Sequence, residues 1–65
     1  MITVKQLCRM YLEPGDNLVI DNVNDEKTIW EGSIGQGVNC EYSDYEVESF
    51  SSVTDGICVN ISKED

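Results

Sequence analysis

The sequence predicts an α+β fold in which an N-terminal helix packs on a four-stranded, mainly antiparallel sheet built from two hairpins. Three observations carry this expectation. Apolar residues recur at helical spacing near the N-terminus, at Val4, Leu7, Cys8, Tyr11 and Leu12. The later apolar segments have the β-branched enrichment and alternation of strands, and they fall in pairs separated by turn residues. The second pair flanks Asp55-Gly56, a strong short-range hairpin signal.

The predicted helix runs from about Ile2 to Leu12, its apolar positions following i, i+3, i+4, i+7, i+8 along one face. Thr3 followed three residues later by Gln6 forms a capping box, and Ile2 just outside can pack on Leu7 as a hydrophobic staple. Glu13-Pro14-Gly15 ends the helix, because proline disfavours helical geometry in the residue before it. A helix this short does not stand alone in water, so its stripe must be buried against a sheet. Lys5 and Arg9, one turn apart, point to solvent.

Asn17 to Val23 (NLVIDNV) and Thr28 to Ile34 (TIWEGSI) read as the strands of a first hairpin, joined by a turn at Asn24-Asp25-Glu26-Lys27. Gly35-Gln36-Gly37 breaks the pattern, and residues 38–44 form a crossing loop or single helical turn. Glu46 to Val53 and Ile57 to Ile61 form the second hairpin. With Asp55-Gly56 as its two-residue loop, Thr54 faces Ile57, Ser52 faces Val59 and Phe50 faces Ile61. That register places Phe50, Ile57, Val59 and Ile61 beneath the helix, and Val47, Ser49, Ser51, Val53 and Cys58 on the second face. It would also bury Glu46 and Glu48 unless the strand bends or bulges near Phe50.

A chain of 65 residues makes one domain, at a size where a single core stabilises the fold by only a few kcal/mol. A partner or a second copy is therefore expected. The net charge of -9, from thirteen acids and four bases, argues against non-specific binding to DNA, RNA or an anionic membrane. A basic protein is the partner that such a charge attracts. No Lys or Arg occurs from Thr28 to Ser62. The N-terminus lacks a signal peptide's apolar run, and no segment has the length of a membrane span, which together with unpaired cysteines points to a reducing cytoplasm. Cys8, Cys40 and Cys58 fit no zinc motif, and Cys8 and Cys58 read as buried small hydrophobes.

The absence of histidine removes His-based triads and acid/base catalysis. Carboxylates remain as candidate ligands: Asp16, Asp21, Asp25 and Glu26 lie close in sequence, and Mg²⁺ prefers oxygen donors. Residues 21–26 fail the calcium-loop pattern, since Val23 takes the third position and no glycine the sixth. Gly35-Gln36-Gly37 lacks the third glycine of a dinucleotide fingerprint and no βαβ unit surrounds it. Trp30 reads as core or interface. Tyr42 and Tyr45 either contribute to a protein-binding surface or cover the sheet edge.

The segment DYEVESF, residues 44–50, stands out because Asp44, Glu46 and Glu48 alternate along it. Alternate strand residues repeat at about 6.7 Å, of the same order as phosphates along a nucleic-acid strand. Such a row, with Glu31 and Glu41, could occupy a basic groove meant for nucleic acid; it could equally protect an exposed strand edge from aggregation. No metal or other cofactor is needed for such binding.

The capped helix, TIWEG, YEVESF and DGICVNI together resemble the small acidic proteins of clostridial phages, prophages and gut metagenomes, some of which are anti-CRISPR inhibitors of Cas9. The resemblance spans nearly the whole chain through structural motifs. It implies a cytoplasmic protein of a bacterial host cell that inhibits a CRISPR effector or similar basic nucleic-acid-binding protein. One anti-CRISPR group resembles the PC4 single-strand-binding fold, forms oligomers and is associated with nicking supercoiled DNA. That likeness implies an enzyme, which in this chain would be a divalent-metal-dependent DNA nickase using Mg²⁺ and some of the carboxylates singled out above, Asp16, Asp21, Asp25 and Glu26, although a basic, aromatic-studded strand face is not evident here. A structural oligomerisation module is the third alternative.

Overall fold

The computed structural model describes residues 2–11 and 13–64. It is an α+β fold of two helices and one four-stranded sheet, with elements α1 (Val4–Met10), β1 (Asn17–Asn22), β2 (Lys27–Ser33), α2 (Ile34–Gly37), β3 (Val47–Val53) and β4 (Gly56–Ile61).

Helix α1 begins as its sequence dictates. The Thr3 hydroxyl accepts from the Gln6 amide at 3.2 Å while the Gln6 side chain accepts from the Thr3 amide at 2.9 Å, so two of the orphan donors of the first turn are satisfied. The helix ends earlier than its apolar periodicity predicts. Tyr11 turns to extended backbone, and its amide donates to the Cys8 carbonyl at 3.3 Å. The last expected stripe residue, Leu12, lies outside the described residues.

The strand order is β2-β1-β4-β3, with antiparallel hairpins on both sides and a parallel β1–β4 pairing at the centre. The sheet is thus mixed, correcting the expectation of a mainly antiparallel one. Hairpins close through local turns, whereas a parallel pair needs a crossover; here residues 34–46 supply it. The crossover opens on α2, which starts at Ile34 where a strand end was expected. A second capping box makes that turn: the Ser33 hydroxyl accepts from the Gln36 amide at 3.2 Å, and the Gln36 side chain accepts from the Ser33 amide at 3.1 Å. The helical layer is consequently a pair. Helix α1 lies next to α2 and is tied at its N-terminus to residues 43–46, through Val4 and Lys5 amides donating to the Tyr45 and Ser43 carbonyls.

One core serves both layers. Val4, Leu7 and Cys8 of α1 and Ile34 of α2 pack with Leu18 and Ile20 of β1, Val47 of β3 and Ile57, Val59 and Ile61 of β4. The central strands supply alternate residues to this core, and the opposite parity forms a face that no helix covers. On that face the pairings align Glu31, Val19, Cys58 and Ser51 in one row, and Thr28, Asp21, Asn60 and Ser49 in the next. Trp30, on the core side of β2, is half-buried against the core, and its ring lies so close over Gly32 that a Cβ there would sit 2.6 Å from Cη2.

The second hairpin departs from the expected register by two residues. Val53 pairs with Gly56, Ser52 with Ile57 and Phe50 with Val59, so the loop is Thr54-Asp55. Asp55 takes the left-handed conformation with φ 61°, while Gly56 is needed for another reason. A Cβ on Gly56 would strike the Asn17 carbonyl, where the start of β1 crosses beside it and the Asn17 amide donates to the Asp55 carbonyl at 2.8 Å. The register shifts between Val47 and Ser49. That bulge resolves the conflict over the acidic strand: Val47 turns into the core, against the expectation that placed it on the second face, and Glu48 is left exposed. Phe50, expected beneath the helix, is 57% exposed on the edge strand.

Candidate acidic interaction site

The residues expected to bind a partner are all exposed, and they fall into two places. Glu41 and Asp44 lie in the turn that precedes β3, Glu46 forms an isolated bridge with Thr3, and Glu48 sits at the bulge. These four occupy one continuous segment, held by the bonds from the first turn of α1 to the Ser43 and Tyr45 carbonyls. Glu31 is elsewhere. It lies on β2, three strands across the sheet from β3, roughly 14 Å away at about 4.8 Å per strand. Among the described residues no side-chain hydrogen bond or ion pair engages these five carboxylates.

Only part of the segment has strand geometry, so the evenly spaced row expected of Asp44, Glu46 and Glu48 is not formed. β3 begins at Val47, Asp44 belongs to a turn, and the bulge breaks alternation at Glu48. What remains is a cluster of anionic groups of irregular spacing on a backbone fixed at both ends. Tyr42 and Tyr45 stiffen it from below: their rings meet edge to face at 5.7 Å and are half-buried against the core. They support the acidic segment as packing groups.

The carboxylates of the metal-dependent alternative are dispersed. Asp16 precedes β1 and accepts from the Tyr11 hydroxyl at 3.1 Å; Asp21 lies near the other end of that strand, roughly 17 Å along it at about 3.3 Å per residue. Asp21 and Glu26 border one shallow depression with Asn22, Val23 and Asn60, and Asp25 is an exposed turn residue. Among the described residues no group of three or more His, Cys, Asp or Glu side chains is placed to hold a metal ion. Asp21 is already engaged, accepting from the Thr28 hydroxyl at 2.7 Å and from the Cys58 thiol at 3.4 Å.

Cys58 therefore departs from its expected role as a buried hydrophobe. It is half-buried on the uncovered sheet face, and burial, followed by the hydrogen bond and charge of Asp21, pushes its thiol above the ordinary value of 9.0. Cys8 is buried as expected, and its thiol is likewise pushed up, chiefly by burial. The Tyr11 phenol is raised by desolvation, by its bond to Asp16, and by the charges of Asp16 and Glu13. Both shifts favour the protonated thiol over the thiolate.

One polar network was not expected from the sequence. Asn22, 4% exposed at the end of β1, donates from Nδ2 to the Lys63 carbonyl at 3.0 Å and accepts at Oδ1 from the Lys63 amide at 3.1 Å and the Asn24 amide at 3.2 Å. Asn24 Nδ2 donates to the same Lys63 carbonyl at 3.0 Å. The only sequence signal was an asparagine at an inward-facing strand position, where an apolar residue belongs. No helix among the described residues is long and apolar enough to cross a membrane. No protein family, curated protein or solved structure matches the chain.

Proposed function

We propose that this chain is a non-catalytic inhibitory interaction protein of a phage or mobile element, of the anti-CRISPR type, acting in the cytoplasm of a bacterial host cell. Its acidic segment, Glu41, Asp44, Glu46 and Glu48, engages the nucleic-acid-binding surface of a basic protein such as a CRISPR effector. Glu31, on the far side of the sheet, contributes only to a partner that wraps the domain. The observation that carries this reading is that these carboxylates are exposed and unengaged among the described residues, in a stretch from Thr28 to Ser62 without a single Lys or Arg. Exposed anionic groups raise the association rate with a cationic surface and compete with phosphate for it.

The test is inhibition of DNA cleavage by a Cas9-type effector, measured with the native chain and with the double variant Glu46→Gln, Glu48→Gln. The expected result is inhibition that the variant weakens by at least tenfold, and that falls as salt is raised from 50 to 300 mM. Equal inhibition by a variant with an unchanged circular dichroism spectrum refutes the acidic segment as the contact.

A further inference from the structure

The outer edge of β3 is unlike the other edge of the sheet. The N-terminal segment pairs only with its beginning, through the Thr3–Glu46 bridge and the Val47 amide donating to the Ile2 carbonyl at 2.9 Å. Past the bulge, Ser49 to Val53 has β4 on one side and no strand on the other among the described residues. Natural edges are blunted by charge, proline or twist, and β2 follows that rule with Lys27 and Glu31 along it. The β3 sequence Ser-Phe-Ser-Ser-Val carries no charge and no proline, and its two apolar residues are open to solvent, Phe50 at 57% and Val53 at 42%. Alternate N–H and C=O groups of such an edge are free to pair with an incoming extended chain.

Charge decides which chain. Glu46 and Glu48 stand at one end of the open stretch and Asp55 at the other. A second copy is disfavoured on two counts. Each copy carries a net charge of -9, and antiparallel self-pairing centred on Ser51 would set Glu48 of one copy beside the Thr54-Asp55 turn of the other, opposing like charges. We propose that the outer edge of β3, Ser49–Val53, receives an extended basic segment of the partner as a fifth strand. Phe50 covers an apolar side chain of the incoming strand, and Glu46, Glu48 and Asp55 pair with its lysines or arginines. The choice of a basic partner rests on the function proposed above; the free edge does not.

The probe is a fluorescently labelled ten-residue peptide alternating lysine and valine. Beside it run two isomers N-methylated on one or the other set of alternate amides, and a counterpart with glutamate for lysine. Binding is followed by anisotropy, and the contact is located by amide shifts of the ¹⁵N-labelled chain. The lysine peptide is expected to bind with shifts concentrated at Ser49–Val53. One methylated isomer, whose blocked amides fall on the paired side, and the glutamate peptide are each expected to bind at least tenfold more weakly. Equal binding by both methylated isomers overturns strand addition while leaving an acidic contact standing, and absence of binding by the lysine peptide overturns it too. A chain that is already dimeric with its Ser49–Val53 amides protected from hydrogen exchange also overturns it, since a second copy then fills the edge. The acidic segment itself is judged separately, by the glutamine variants in the cleavage assay.

Discussion

Asn22 offers the sharpest test of how so small a fold holds together. Its amide fills an inward-facing position of β1 and clamps Lys63, forty-one residues away, through bonds to both the amide and the carbonyl. Asn22→Ala removes these two bonds and a third from the Asn24 amide. The Lys63 carbonyl keeps Asn24 as a donor, but the Lys63 amide loses the Asn22 oxygen. At about 1 kcal/mol net per hydrogen bond, the expected loss is roughly 2–3 kcal/mol, a large part of what one core of this size supplies. Asn22→Asp keeps the shape and the acceptor but points an oxygen at the Lys63 carbonyl, where a donor is required. The introduced carboxyl can donate there only when protonated, so its folded pKa lies above the unfolded value of about 3.9. Stability tied to a raised pKa is present below the unfolded value and lost as pH rises through the folded one. The variant should therefore trail the native chain by at least about 2 kcal/mol at pH 7 and by visibly less at pH 4. Urea unfolding followed by the fluorescence of the single tryptophan, Trp30, measures both. A cost below about 0.5 kcal/mol for Asn22→Ala, or a gap for Asn22→Asp that does not narrow in acid, would refute the reasoning.

Three further outcomes follow from the geometry. Gly56→Ala should destabilise by about 2–3 kcal/mol in the same urea assay, because its Cβ would strike the Asn17 backbone and the parallel β1–β4 register cannot yield without loss. Glu26→Gly should raise the urea midpoint, by an amount equivalent to about 0.5–1 kcal/mol, since Glu26 is held at φ 54° where a Cβ is unfavourable. Raised values for Cys8, Cys58 and Tyr11 mean that the folded chain holds protons that the unfolded chain releases from about pH 9 upward. The melting temperature should accordingly be insensitive to these groups below pH 8 and fall between pH 9 and 11, with a smaller fall in Cys58→Ala.

Several elements were legible because their causes are local. The start of α1 follows from Thr3 and Gln6 touching within one turn, and the first hairpin from two short strands and a polar turn. The same capping pattern recurs at Ser33 and Gln36, so the start of α2 is also encoded locally, at the end of a run whose composition is that of a strand. The second hairpin differs from its expected register for a physical reason. Asp55-Gly56 looks like a turn because glycine tolerates positive φ, yet Asp55 alone adopts it here and Gly56 is required by an encounter with Asn17, a residue distant in sequence. The acidic candidates were legible as exposed groups, but their grouping was not. Glu31 was separated from the rest by strand order, and the even spacing of Asp44, Glu46 and Glu48 was broken by a bulge that lets Val47 reach the core.

By itself, the sequence determined the class of the fold, the identity of most core residues and the sign of the surface. These depend on periodicity, composition and charge, which act within a few residues or over the molecule as a whole. Tertiary structure alone decided the parallel union of β1 with β4, the bulge at Glu48, the clamp of Asn22 on Lys63 and, among the described residues, the open edge of β3. The first and third join segments distant in sequence, and the bulge and the edge follow from where β3 meets the core and ends the strand order, so no pattern within a few residues encodes them.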